Sequence, residues 1–396
     1  METHVTTEGE IDKCAHAFTH RTALEPAILS PILTHIYVHI PFCARICPYC
    51  AFYKERADPA QTQRFCDAVL HELNQQCEML DLRPETIFFG GGTPTALSTG
   101  QLEYVLSGFR ERLNFSALHE WTVEANPGSV SPRKAAMMKR AGVTRISLGV
   151  QSWNDRLLRL LGREHDAAHA EASVNILRDA GFQNLNIDLM FGLPGQSIAE
   201  WQETLDKTVA LQPEHISAYC LTYEEDTEFF ARQARGEFRQ ESESDAEFFV
   251  TASRLLEGAG YEHYETSNYA RNGCASLHNR GYWAGEDYLG IGPSAFSTVG
   301  FVRRQNICDY RGYADRLLNG ESAVASTEHL SEKMKRGEKI ALLLRTNTGV
   351  PVAWLEDQAE EVDEFLRLSL LRKTNGRYVL TPKGELLADS VAEAFV

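Results

Sequence analysis

The stretch His39-Ile-Pro-Phe-Cys43-Ala-Arg-Ile-Cys47-Pro-Tyr-Cys50 puts three thiols at the end of an apolar run, Ile36-Tyr-Val-His-Ile40. Thiolates are soft ligands and suit zinc, copper(I) or iron–sulfur clusters. A cube of four irons and four sulfides is normally held by four cysteines. Three close ones leave one iron without a protein ligand, an open position of the kind a reacting molecule needs. The plainer alternatives are a zinc knuckle or three buried thiols. Zinc would call for a second ligand pair nearby, and none follows at the usual spacing.

Outward from that stretch, strand-like and helix-like segments alternate. Strands are predicted at Thr34–Pro41, Thr86–Phe89, Glu120–Glu124, Arg145–Val150, Leu185–Met190 and His215–Leu221, short and rich in Ile, Val and Phe. Helices are predicted between them at Ala60–Leu82, Ser98–Leu113, Pro132–Ala141, Asp166–Ala180 and Ile198–Leu211. In the first, Cys66 and Cys77 fall on the same apolar face as Val69, Leu73 and Leu80, so they read as core residues. Six such alternations imply a parallel sheet, whose ligands gather at the carboxyl ends of the strands. The first strand ends in the cysteine loop, the second in Gly90-Gly91-Gly92-Thr93-Pro94, the third in Glu124-Ala-Asn126-Pro127 and the fourth in Gln151-Ser152. Arg163 follows shortly after, and the fifth strand carries Asp188. The triple glycine permits close backbone approach, but it has neither the Rossmann spacing nor the Gly-Lys-Ser/Thr of a P-loop. Glu124, Gln151, Arg163 and Asp188 read either as solvated or structural residues or as a polar lining for a zwitterionic ligand, with Arg163 facing a carboxylate.

The alternation stops after Glu224. A helix is predicted at Ala246–Ala259, and the end of the chain reads helix (Lys335–Arg345), helix (Leu355–Leu371), strand (Arg377–Leu380) and a last helix opened by Thr381-Pro382. The expected organisation is a loose tail at 1–33, a core at 34–262 and an α+β extension at 263–396, ending in a small winged-helix-like cap. Cys14 and His16 in the tail read as incidental. The net charge of −16 argues against broad nucleic-acid binding, and no apolar run is long enough to span a membrane. An odd nine cysteines with one tight trio, and no basic-then-apolar leader, fit a reducing cytoplasm.

With Tyr49 before the last thiol, the C-x-x-x-C-x-x-C stretch resembles the motif of radical S-adenosylmethionine (SAM) proteins. That resemblance implies a 4Fe–4S cluster on Cys43, Cys47 and Cys50, with SAM on the fourth iron. The set Tyr37-Val-His-Ile-Pro-Phe-Cys, Phe88-Phe-Gly-Gly-Gly-Thr-Pro, Glu124-Ala-Asn-Pro-Gly, Gly149-Val-Gln-Ser, Leu161-Gly-Arg and Asp188-Leu-Met-Phe-Gly-Leu-Pro resembles one family within that group. It contains the oxygen-independent coproporphyrinogen III oxidases and the related haem chaperone HemW. The resemblance implies a partial (β/α)6 barrel and one or two SAM molecules. Tyr37, Gly91 and Glu124 would serve one SAM; Tyr49, Gly92, Thr93, Gln151, Arg163 and Asp188 would serve the other.

Two features separate the branches. The oxidase pattern has a fourth cysteine two past the third, where this chain has Phe52. His278-Asn-Arg-Gly-Tyr-Trp283 resembles the H-N-x-x-Y-W signature of the chaperone branch. Haem iron is held by His, Cys, Met or Tyr, and Tyr282 and Trp283 would offer aromatic walls. Either His278 binds haem, or it and Asn279 tie a loop to the barrel. Where the family commonly has histidine in Gly290-Ile-Gly292-Pro-Ser-Ala-Phe296, this chain has Phe296. Cys274, Cys308 and His263 remain spare ligands, and Arg303 and Arg304 would suit haem propionates or simply face water.

The expected function is therefore haem binding and delivery, with SAM either cleaved to a 5′-deoxyadenosyl radical or used as a switch. The alternative is oxidative decarboxylation of coproporphyrinogen III, and an RNA-modifying radical SAM enzyme is disfavoured by the acidic balance. The resemblance further implies a homodimer and membrane respiratory proteins as haem acceptors.

Overall fold

The outer faces of six parallel strands carry the core: Ile36, Val38 and Ile40, then Ile87 and Phe89, Val123, Ile146 and Leu148, Ile187 and Leu189, and Ile216, all essentially inaccessible. In the computed structural model, which describes residues 32–238 and 242–396, these strands are β1 (Ile32–Ile40), β2 (Asp81–Gly91), β3 (Glu120–Ala125), β4 (Arg145–Gln151), β5 (Leu185–Phe191) and β6 (His215–Cys220). Their spatial order equals their chain order and each pairs in parallel with the next. Helices α1 (Pro59–Met79), α2 (Thr99–Arg112), α3 (Pro132–Ala141), α4 (Asp155–Leu160), α5 (Ala167–Asp179) and α6 (Ile198–Ala210) return the chain between them. Local chemistry sets their starts: Asp58 caps α1 with proline just inside, and Ser98–Gln101 and Ser197–Glu200 form capping boxes on α2 and α6. Gly142 ends α3 with φ +98°, a conformation glycine adopts without strain.

The sheet does not stop at six. Beyond β6 lie two antiparallel strands, β7 (Glu262–Glu265) and β8 (Asn268–Ala270). Beyond β1 lies β9 (Tyr288–Ile291), parallel to it, followed by the antiparallel β10 (Phe296–Val299), β11 (Val302–Asn306) and β12 (Val324–His329). The order is β12-β11-β10-β9-β1-β2-β3-β4-β5-β6-β8-β7, an open sheet with two edges. The helix expected at Ala246–Ala259 belongs to α8 (Ser242–Gly258), after α7 (Glu228–Ala234). Helix α9 (Leu277–Trp283) carries the H-N-x-x-Y-W residues, and α10 (Tyr310–Leu318) packs on α1.

At the end of the chain, α11 (Glu332–Leu344) and α12 (Ala359–Arg367) pack with a three-stranded sheet of β13 (Val350–Pro351), β14 (Leu371–Thr374) and β15 (Arg377–Leu380), around a small core including Ile340, Leu344, Val350, Val362 and Val391. Several sequence readings differ from this. The helix expected at Leu355–Leu371 is confined to Ala359–Arg367, and Leu371 instead opens a strand; β9 to β12 were not foreseen; and β1 starts at Ile32, with Leu33 in the core. The expectation for residues 1–31, with Cys14 and His16, lies outside the described residues. Among the described residues, no helix is long and apolar enough to cross a membrane.

Candidate functional site: a thiol loop over a polar barrel interior

Side chains alternate across a strand, so the partners of the apolar core face inward, and they are polar. In register they form layers: His35, Thr86 and Glu120; then Tyr37, Phe88 and Thr122; then His39, Gly90 and Glu124, with Ser147, Gly149, Asn186, Asp188 and Ser217 completing the wall. The cysteine loop follows β1 directly. Its Cys43, Cys47 and Cys50 are all free thiols. Burial pushes the Cys43 thiol up to about 11 and that of Cys50 up as well.

Behind the loop the glycines do specific work. The Gly92 N–H donates to Ile40 O (2.9 Å) and the Thr93 N–H to Phe42 O (2.8 Å), tying β2's end to the thiol loop. A Cβ on Gly92 would stand 2.6 Å from the Pro41 carbonyl carbon. Gly91 has φ +106°, and its N–H donates to Glu124 Oε2 (3.2 Å).

One polar chain runs from thiol to thiol. Cys43 Sγ lies 3.7 Å from Thr93 Oγ1, which accepts from Asn126 Nδ2 (2.8 Å). Asn126 Oδ1 accepts from Arg163 Nη2, which also donates to Gly149 O (2.6 Å), while Arg163 Nη1 points at Cys47 Sγ (3.7 Å). Gln151, held at φ +70° beside a bulge in β4, brings its amide to the same place: a Cβ on Gly149 would meet Asn126, Gln151 and Arg163 together. Tyr49 lies beside the Arg163 guanidinium, and its ring packs 6.1 Å from Phe229. A cavity of about 360 Å³ opens here, lined by Cys47, Thr93, Asn126, Arg163, His165 and His169. Burial and the nearby Arg163 charge push His165 down to about 4, so it is neutral at pH 7.

The second group is acidic. Burial, then the Asp188 charge, raises the Glu124 carboxyl to about 8. Asp188 is raised by burial too, although Ser147 Oγ (3.0 Å) and Asn186 Nδ2 (2.7 Å) donate to it. Burial, then the Glu124 charge, raises the Tyr37 phenol. The Tyr37 hydroxyl donates to His39 Nδ1 (3.0 Å), because His39 Nε2–H is committed to Tyr53 O (2.8 Å).

Thus Tyr37, Gly91 and Glu124 meet in one group, and Tyr49, Gly92, Thr93, Gln151, Arg163 and the thiols in another; Asp188, expected with the second set, lies beside Glu124 in the first. His278 stands apart, at the amino end of the strands. Its ring stacks on Phe88 (5.2 Å, 27°) and its Nδ1 bonds Thr86 Oγ1 (2.8 Å). Asn126 and His39 had been passed over as site residues. Alternation marks both: Asn126 lies two beyond Glu124, and His39 two beyond Tyr37.

Comparison with known proteins fits this arrangement. Residues 37–208 match the model of the radical SAM superfamily. The heme chaperone HemW of Lactococcus lactis is 36% identical over 370 residues, covering 91% of this chain and 96% of that one. The chain belongs to the HemW family of radical SAM proteins. A second family member, the heme chaperone HemW of Escherichia coli, is 33% identical and covers 91% of this chain and 97% of its own. The fold is also that of the solved coproporphyrinogen III oxidase HemN of Escherichia coli, with a TM-score of 0.79 at 24% identity, covering 93% of this chain and 90% of that one. Membership of the superfamily implies a 4Fe–4S cluster and SAM.

Proposed function

We propose that this chain is a haem chaperone: it binds haem and passes it to acceptor proteins, and it carries a 4Fe–4S cluster and SAM in its barrel. The observation that carries the reading is end-to-end likeness to proteins named heme chaperone, at 33–36% identity. The site agrees with it. Phe52, where the oxidase pattern has a fourth cysteine, is 70% exposed. The thiol set suits a cluster: Cys43, Cys47 and Cys50 are all free thiols in one loop, and three thiolates leave one corner of a cube open.

Cys43, Cys47 and Cys50 would hold three irons. When bound, the cluster supplies an electron for cleavage of the SAM sulfonium. The protein's own part is positioning. Arg163, whose Nη1 points at the Cys47 sulfur (3.7 Å), would face a carboxylate. Tyr49, Gln151, Gly92 and Thr93 would shape the cavity edge, while the Gly91 N–H holds Glu124, which with Asp188 would face a cation. The reading includes haem-dependent respiratory acceptors and a homodimer, as the family resemblance implies, in a cytoplasmic setting that keeps the thiols reduced.

The test is a paired assay on one anaerobically reconstituted sample. Near-stoichiometric haem binding without conversion of coproporphyrinogen III is the expected result. Sustained turnover to protoporphyrinogen would replace the chaperone by the oxidase.

A further inference from the structure

Helix α9 lies across the sheet's inner face. His278 sits over β2 at Phe88, Gly281 sits over β1, where a Cβ would stand 2.4 Å from His35 Nε2, and Tyr282 reaches β9, its ring 5.7 Å from Tyr288. Past β1 the face continues in register, His35 beside Tyr288 and Tyr37 beside Gly290. There, between α9, α11 and the strands β9 to β11, is a hollow of about 430 Å³, within the range of about 300–1,000 Å³ usual for small-molecule sites.

Its wall is aromatic and its rim cationic. Tyr282, Tyr288 and Phe296 line it, and Tyr282 and Phe296 are 46% and 42% exposed. Aromatic rings bared together at one concavity mark a binding surface more readily than a folding core. The carboxylates of the lining are engaged: Glu286 with His35 (2.6 Å) and Glu338 with Arg303 in a bidentate pair (2.9 and 2.6 Å). Lys335 is tied to Asp287 (2.7 Å). Lys339 makes no ion pair among the described residues; its ammonium stands 5.8 Å from the Trp354 ring centre. Aromatic walls with an uncommitted cation suit a flat conjugated ring bearing carboxylates.

We propose that this hollow, and not the barrel interior at His278, receives the haem. The assignment rests on the haem-carrier reading above. The ring lies against Phe296 and a propionate meets Lys339, while Arg303 stays paired with Glu338 and Glu328. Tyr282 and Tyr288 present phenol oxygens, a ligand type that haem iron accepts. On coordination to ferric iron the phenol loses its proton to solvent, an O–Fe bond forms and no electron moves. His278 is excluded by its commitments, since reaching iron would break both its Thr86 bond and its stack on Phe88. In this arrangement His278 anchors α9 so that Tyr282, one turn on, is held at the hollow.

The test is haemin titration of the full-length, cluster-loaded chain, followed by Soret absorbance and ferric electron paramagnetic resonance. Lys339→Glu, and Lys339→Glu combined with Phe296→Ala, should weaken haemin binding roughly tenfold or more at unchanged iron–sulfur absorbance and melting temperature. Tyr282→Phe or Tyr288→Phe should alter the ferric signature. If the wild type binds haemin and all these variants match it, the hollow is not the site. If His278→Ala alone abolishes the wild-type ferric signature, the iron lies in the barrel and the assignment is overturned. A wild type that takes up no haemin at all overturns instead the carrier reading beneath it.

Discussion

In the proposed reading, Glu124 is a residue set for a cation, and its surroundings give that reading a measurable consequence. Its carboxyl is raised from 4.5 to about 8 by burial and by Asp188, so in the folded chain the acidic pair keeps a proton at neutral pH that the unfolded chain would release. A folded-state value above the unfolded one means that this group costs stability progressively as pH climbs from about 4.5 through about 8. A sulfonium or ammonium beside it reverses the balance and expels the proton. SAM binding near pH 7 should therefore release protons and tighten as pH rises towards 8. Calorimetry in two buffers of different ionisation enthalpy reads the release directly; equal heats would refute it. Glu124→Gln should abolish the release and weaken SAM binding roughly 10- to 100-fold, the equivalent of about 1.5–3 kcal/mol for a hydrogen bond to a charged group. At the thiols, Cys47→Ala would remove one of the three proposed cluster ligands and the sulfur that Arg163 faces. Iron content should fall from about four per chain towards zero while circular dichroism is preserved, because none of the three cysteines belongs to the apolar core.

Helix α9 is the element on which the barrel and the extension depend together. Glu120, the first residue of β3, accepts from Ser276 Oγ and from the N–H groups of Leu277 and His278, a carboxylate at the positive end of the helix. From Glu286 the bonds continue through His35 and Thr86 to His278. Gly281→Ala would push a methyl into the His35 ring and should cost about 1–3 kcal/mol as overpacking. Gly100→Ala in α2, where nothing lies within 4 Å, should instead be neutral or stabilising by up to about 1 kcal/mol. Thermal melts of the two variants separate close packing from loss of a flexible residue; equal melting temperatures would remove α9 from the barrel's support. The same contrast explains what was legible in the sequence. Strands β1 to β6 announce themselves because their outer faces must be apolar under the helices, and the residues at their carboxyl ends were found with them. Strand β12 is exposed at five of six positions, and β11 reads Val-Arg-Arg-Gln-Asn, so neither carries an apolar alternation. The β14–β15 hairpin left a mark that was missed, Asn375-Gly376 with φ +49° and +74°, the dipeptide a two-residue hairpin turn favours. His278 was legible as part of a motif but not in its place, because the partners that fix it, Thr86 and Phe88, are far from it along the chain.

In the whole molecule, stability and chemistry are held by different sets of residues. The main core lies between the sheet and its helices, and the terminal helices and small sheet have a second core. Under the thiol loop lies a third, smaller cluster of Leu157, Leu161, Met190, Leu193, Leu221 and Phe229, with Tyr49 packed against it. The Phe229 N–H donates to Pro48 O (3.0 Å), coupling α7 to the loop. A small zinc-dependent domain unfolds without its metal because it has no other core; this chain has two that contain no thiol ligand. Removing the cluster by anaerobic chelation should therefore leave the main melting transition nearly in place, while amide protection is lost in 43–50 and 228–234 and kept in β1 to β6. Local openings of this kind are read by hydrogen exchange. SAM binding should disappear with the cluster, since one of its anchoring points is gone, whereas haemin uptake at the hollow beside α9 should persist. If chelation unfolded the sheet, the thiol loop would have to be part of the fold's foundation. If it abolished haemin uptake while the sheet stayed intact, the two sites would be linked, and the chain from Glu286 to His278 would be the first place to look for that link.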